Sequence, residues 1–313
     1  MADAILRVLR AGPLTTVQDG GRPGFARYGV TEGGPMDRTA HLIGQHLAGN
    51  PAEGAGLEVD SQGLSLLCLA GAVGFVFTGG DFALRLDGQQ TTGWQVGELR
   101  EGQRLDISMN RWGNWCYLAF AGEIDSTQWL GSRSVNPSWA VSGSRLRAED
   151  QIAVRHARSL EGTPRRLPTP VFARPATTIH VVPGPQERFF AQESFARFYG
   201  ESFAVSSQYN RQGIRLDGPP LTISAALDMP SEPIVRGAVQ VDGSGQASAL
   251  MADHQTTGGY PKIGTIITAD QDGLAQLRPR QRFRFTATTA EDGIGRLRRR
   301  HARIRDYLDA VRR

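Results

Sequence analysis

The chain has 313 residues, 40% of them hydrophobic and 21% charged, with 38 glycines, 17 prolines and a formal net charge of +4, an ordinary balance for a globular protein. No apolar run approaches the length that spans a bilayer, and Met1-Ala2-Asp3-Ala4-Ile5-Leu6-Arg7 lacks the basic and long apolar regions of a signal peptide, so a cytoplasmic protein without a membrane partner is expected. From Glu291 onward eight arginines face four acids, which leaves residues 1–290 neutral and argues against a nucleic-acid-binding body.

Length favours two domains, and the glycine and proline content points to many turns and a β-rich chain. A first helix is predicted from Asp37 as N-cap, with Ala40, Ile43 and Leu47 on one face, stopping at Gly49 before Asn50-Pro51. Short apolar runs bounded by turns predict strands at 64–69, 73–78, 107, 116–121, 179–182, 223, 234–241, 263–268 and 283–288. Pro164, Pro168, Pro170 and Pro175 mark 157–176 as the domain boundary. A second helix is predicted from about Gln186 through Phe189, Phe190 and Phe198 to Gly200. Leu297, His301, Ile304, Leu308 and Val311 recur at helical spacing, so the basic tail is predicted to be an amphipathic helix docked on its own protein or a partner. Strands and helices do not alternate regularly, which fits barrels better than a doubly wound sheet.

Cys68 and Cys116 lie in apolar runs and read as reduced core thiols. The five tryptophans, from Trp94 to Trp139, read as buried aromatics, with a partner surface as the alternative. His41 and His46 are five apart, off the spacing that puts two ligands on one helix face, so no metal is expected. His180 in its apolar strand reads as a core residue, and His254 as a turn residue or a proton carrier.

Lys262 is the only lysine; the other 34 of the 35 basic residues are arginine. A lysine kept against that bias either is a leftover in a surface loop or sits where a compact ammonium is needed and a planar guanidinium will not serve. Its setting favours a site: Asp253-His254-Gln255-Thr256-Thr257-Gly258-Gly259-Tyr260-Pro261-Lys262 gathers a carboxylate, an amide, hydroxyls, a phenol and the ammonium around a Gly-Gly pair. It also excludes a Walker-A loop, which requires Gly-Lys-Ser/Thr. Three further polar clusters stand out: Gln18, Asp19 and Arg22 on a glycine turn, Asp37 after Gly33-Gly34, and Asn210-Arg211 ahead of a strand.

The blocks 15–22, 29–37, 49–50, 57–58, 131–134, 210–216, 237–240 and 253–267 occur in one order over roughly residues 8 to 288. Together they resemble the carboxyltransferase subdomain C/D family, which contains the C component of 5-oxoprolinase, formerly allophanate hydrolase subunit 2, and the matching part of urea carboxylase. Departures from the family pattern are Glu123 for a glycine, Gln45 for a helix asparagine and Glu149-Asp150 for Gly-Asp. The resemblance implies a mainly β protein with cyclophilin-like β-barrels at 1–160 and 176–290, and a basic helical tail at 291–313 outside the pattern. It implies ATP-dependent opening of the 5-oxoproline lactam with a B-type partner protein and, in oxoprolinase, an A-type component. ATP would serve the assembled complex.

In the urea carboxylase relatives the same architecture accepts carboxyl from carboxybiotin. Biotin cannot sit on this chain, because Pro261-Lys262-Ile263 is unlike the Met-Lys-Met of a biotinylated lysine. One family branch resembles a non-catalytic antagonist that sequesters a kinase-inhibitor-like partner. Lactam phosphorylation needs cations for the developing charge and polar groups to orient the ring. Lys262, Arg211 and Arg22 are the candidate cations, Gln18, Gln240, Gln255 and Asn210 the orienters, and Asp253 or Asp19 the base. Thr256 and Tyr260 complete the substrate-binding set.

Overall fold

The computed structural model describes residues 3–184, 186–224 and 229–312. The chain is mainly β, as expected, and divides into two compact units: Met1–Arg22, Gly33–Arg174 and Ile304–Arg313, then Pro23–Glu32 and Pro175–Arg303.

Among the described residues the first unit holds an 11-stranded sheet. Its central strands, Ala72–Leu86 and Arg104–Phe120, are much longer than the separate short runs at 73–78, 107 and 116–121 suggested. Glycines explain the difference. The ladder shifts register between Gly79 and Phe82, Gly79 takes φ +103, and a Cβ on Gly80 would fall 2.8 Å from Gly113 Cα. The glycines therefore form a bulge where the strands approach closely, and pairing continues beyond it. Phe75, Phe77, Phe82, Ile107, Leu118 and Phe120 fill the core beneath. Helix α1 (Arg38–Leu47) packs on these two strands. Asp37 caps it as predicted, Oδ1 accepting from Ala40 N at 2.9 Å, a bond that stabilises a helix by about 1 kcal/mol. Both cysteines are free and buried, and burial pushes both thiols up. Trp94 and Trp115 are buried, whereas Trp112, Trp129 and Trp139 are only partly covered.

The second unit is a closed barrel in the order Thr178–Pro183, Lys262–Ile266, Ala238–Val241, Ala247–Leu250, Gly213–Asp217, Ser202–Tyr209 and Arg282–Ala287. It closes by parallel pairing of the first and last of these. Helix α2 (Gln192–Gly200) packs on the last strand, with Phe198 stacked on Phe285 at 4.3 Å between centroids. The helix expected from Gln186 starts late. Glu187–Phe189 is a 3-10 turn, and Phe190 is extended and bridged to Ile223. Ala191 N donates to Thr222 O at 3.2 Å and Ser224 N to Phe189 O at 2.9 Å, so a neighbouring segment meets the backbone needs of this stretch. Among the described residues that bridge is all that forms of the strand expected at 223.

The strand expected to reach 268 ends at Ile266, and helix α3 (Thr268–Ala275) begins. Asp270 in its first turn accepts from His180 N and pairs with His180 Nδ1, both at 2.7 Å. His180 is thus a half-buried partner of a carboxylate and not the core residue its apolar strand suggested. Helix α4 (Ala290–Arg312) carries Ile304, Leu308 and Val311 buried. Tyr307 meets Trp94 and Phe172 edge-on at 5.8 and 6.0 Å, so the end of the tail docks on its own protein. His301, expected on that face, is exposed, and Leu297 is half-buried. No helix among the described residues is long and apolar enough to cross a membrane.

Candidate functional site

Barrel register builds the site around Lys262. The strands Ala238–Val241 and Lys262–Ile266 are neighbours, and Gln240 is set against Lys262 across a register shift. Gln240 Nε2 donates to Tyr260 O at 3.3 Å, and Gln255 Nε2 donates to Gln240 Oε1 at 3.0 Å. Gly258 permits this, since a Cβ there would fall 2.9 Å from Gln240 Nε2. The short pair Glu232–Pro233 and Thr257–Gly258 carries Glu232 to the same loop. Lys262 Nζ lies 3.2 Å from Glu232 Oε2, with side chains 13% and 43% exposed. Gln186 ties the two together: its Oε1 accepts from Lys262 N at 2.7 Å and its Nε2 donates to Glu232 Oε2 at 2.6 Å. Tyr260 is half exposed, and Thr256 contributes its carbonyl to Ile234 N at 2.9 Å.

Arg211 and Asp253 form a second, deeper pair. Nε meets Oδ2 at 2.9 Å and Nη2 meets Oδ1 at 3.1 Å, with the side chains 2% and 1% exposed. Asp253 N also donates to Arg211 O at 2.8 Å. A forked guanidinium on both oxygens of a buried carboxylate clamps two chain segments; the expected cation and the expected base engage each other. Asn210 shapes the adjoining turn, Oδ1 accepting from Gln212 N and Gly213 N at 2.8 and 3.2 Å. Asn210 and Gln255 share a groove of ≈ 410 Å³ with Tyr209 and Arg215. His254 is buried, its Nδ1 2.6 Å from Gln255 O. Burial, aided by the Arg236 charge, holds its pKa below the usual imidazole value.

Gln18, Asp19 and Arg22 lie in the first unit, tied to the segment 132–135. Gln18 is fully buried, donating to Thr16 Oγ1 and Val135 O at 2.8 Å each and accepting from Ser134 Oγ. Asp19 accepts from Ser132 Oγ at 2.6 Å, Arg133 N at 2.5 Å and Gly21 N at 2.9 Å. Arg22 donates to Ser134 O, and its guanidinium lies 5.3 Å from the Trp129 ring centroid. Their polar heads knit two loops together. Asp19 also lines a cavity of ≈ 470 Å³ with Glu53, Glu123, Arg133, His156 and Arg158.

Gln186 reads in the sequence only as the start of a helix, and Glu232, between Ser231 and Pro233, carries no signal of a site. Glu58 reads there only as part of a matching block. Glu58 is fully buried and accepts from Met36 N at 2.6 Å and Tyr117 OH at 2.8 Å. Burial, reinforced by the Glu58 charge, raises the Tyr117 phenol well above its usual range. A charged residue within the apolar run Leu57-Glu58-Val59 was the available signal. Among the described residues no group of three or more His, Cys, Asp and Glu side chains is placed to hold a metal ion.

Residues 28–287 match the family described as carboxyltransferase domain, subdomain A and B; the letters are A and B where the sequence resemblance used C and D. The C component of the 5-oxoprolinase of Escherichia coli (strain K12) is 34% identical over 298 residues, 93% of each chain. A putative urea carboxylase of Emericella nidulans is 29% identical over 310 residues, 93% of this chain but 25% of its own length. The crystal structure of TTHA0988 is similar with a TM-score of 0.80 at 29% identity, covering 90% of this chain and 55% of that one.

Proposed function

This chain belongs to the carboxyltransferase domain, subdomain A and B, family, and we propose that it is the C component of an ATP-dependent 5-oxoprolinase. The observation that supports this reading most is the end-to-end similarity to the C component of a 5-oxoprolinase, which spans 93% of both chains. In this reading a B-type partner protein and an A-type component complete the enzyme, ATP is bound by the assembly, and no biotin is attached to this chain. A lactam carbonyl is a poor electrophile, and phosphorylating its oxygen supplies a leaving group. In this reading Lys262 meets that charge, while Gln240, opposite it in the strand pairing, and Gln255, bonded to Gln240, orient the ring. Oxoproline-dependent ATP hydrolysis by the three reconstituted proteins tests the reading; turnover that is unchanged when this chain is omitted refutes it.

The second reading is a half-site of a biotin-dependent carboxyltransferase acting on urea or a related amide, favoured by the similarity to a putative urea carboxylase over 310 residues. There Lys262 would hold the carboxyl group. Asp253 would have to leave Arg211 to take a proton from nitrogen, a cost that weighs against this reading. Urea-dependent decarboxylation of a carboxybiotin carrier, without oxoproline-dependent ATP hydrolysis, would establish it.

A further inference from the structure

Lys262 and Glu232 present a donor and an acceptor side by side, and we propose that this pair, braced by Gln186, recognises the cis-amide edge of a lactam or a urea. Among the described residues Glu232 is the only acceptor on the Lys262 ammonium, so two of its three N–H groups are open. Glu232 Oε2 takes both Lys262 and Gln186, and among the described residues nothing donates to Oε1. The lysine side chain is 13% exposed and the Glu232 side chain 43%, so the pair is held from behind and reached by solvent mainly at the carboxylate.

Gln186, itself buried, uses both ends of its amide for the bracing. One end holds the backbone that carries Lys262, the other holds the carboxylate. The pair therefore keeps its spacing without a ligand, the condition under which charge-assisted bonds give specificity at little ordering cost.

A lactam or a urea shows N–H and C=O on one side, so an ammonium hydrogen and a carboxylate oxygen take both at once. An ordinary secondary amide is trans and shows them on opposite sides. The ammonium then faces the carbonyl oxygen, where negative charge develops when the carbonyl is attacked or phosphorylated. The inference rests on the proposed function for the substrates and the location of the site, and it adds two residues, Glu232 and Gln186, and the edge of the amide that they read.

Saturation-transfer NMR on the full chain, titrated with 2-pyrrolidinone, N-methyl-2-pyrrolidinone, urea and N-methylacetamide, tests it. Saturable binding of 2-pyrrolidinone is expected, with N-methyl-2-pyrrolidinone and N-methylacetamide at least roughly tenfold weaker, because neither offers an N–H and a C=O on one edge and each leaves one member of the pair without its partner. Glu232→Gln and Lys262→Met should each remove that preference, with thermal unfolding confirming that both variants are folded. Competition between 2-pyrrolidinone and urea identifies which of the two the site prefers. Equal binding of all four probes, no saturable binding of any, or a preference retained by Glu232→Gln overturns the proposal. Selective lactam binding with ATP hydrolysis indifferent to this chain would sink the oxoprolinase reading and leave recognition standing. Turnover that needs the chain but keeps its KM in Glu232→Gln would do the reverse.

Discussion

Replacing Asp253 by Asn keeps the shape of the side chain and removes its charge, leaving the Arg211 guanidinium facing a neutral amide at 2% exposure. With both partners out of water, solvent screening is slight, and breaking one side of such a pair costs about 3–5 kcal/mol. At roughly 2–4 °C per kcal/mol for a domain of this size, the melting temperature should fall by on the order of 10 °C. Urea unfolding should show a lower midpoint at an unchanged slope. The double change Arg211→Met with Asp253→Leu should recover most of the loss, since a packed apolar pair substitutes well for a buried ion pair. A single Asp253→Asn variant that loses turnover while losing less than about 1 kcal/mol would refute the clamp and restore the carboxylate as a catalytic base.

Lys262→Arg keeps the charge but not the head group, and should lower turnover of the assembled complex at least roughly tenfold; wild-type turnover would mark the lysine as a leftover. Burial lowers His41 from 6.5 to about 4, against the opposing pull of the Gln18 carbonyl. The unfolded chain therefore binds the proton first, so stability is full above pH 6.5 and falls by about 3 kcal/mol as pH drops towards 4. Unfolding midpoints measured across that window should flatten in His41→Gln, and parallel curves would remove His41 as the cause. Glu149 is exposed at φ +72, so Glu149→Gly should stabilise the chain by about 0.5–1 kcal/mol through relief of left-handed strain; its ion pair with Arg7, at 3.9 Å and largely exposed, contributes little. A lower urea midpoint in that variant would contradict this account.

What could be read from the chain alone was local chemistry. Asp37 announces its helix because the capping carboxylate and the N–H that donates to it are three residues apart, and the tail helix follows from apolar spacing within one element. The block from Asp253 to Lys262 was visible because its polar groups are dense in sequence. The partners that give Lys262 its setting were not, since Glu232 is 30 residues away and Gln186 is 76. Arg211 and Asp253 were both picked out as chemical groups, yet only the fold shows that 42 residues of intervening chain bring them onto each other. The same holds for the long central strands: glycines that look like strand ends become a bulge once the opposite strand supplies Gly113 at close range. Composition and spacing determine which groups a chain owns and which elements it prefers. Which group meets which depends on barrel register and loop closure, and these are decided by packing between residues far apart in sequence.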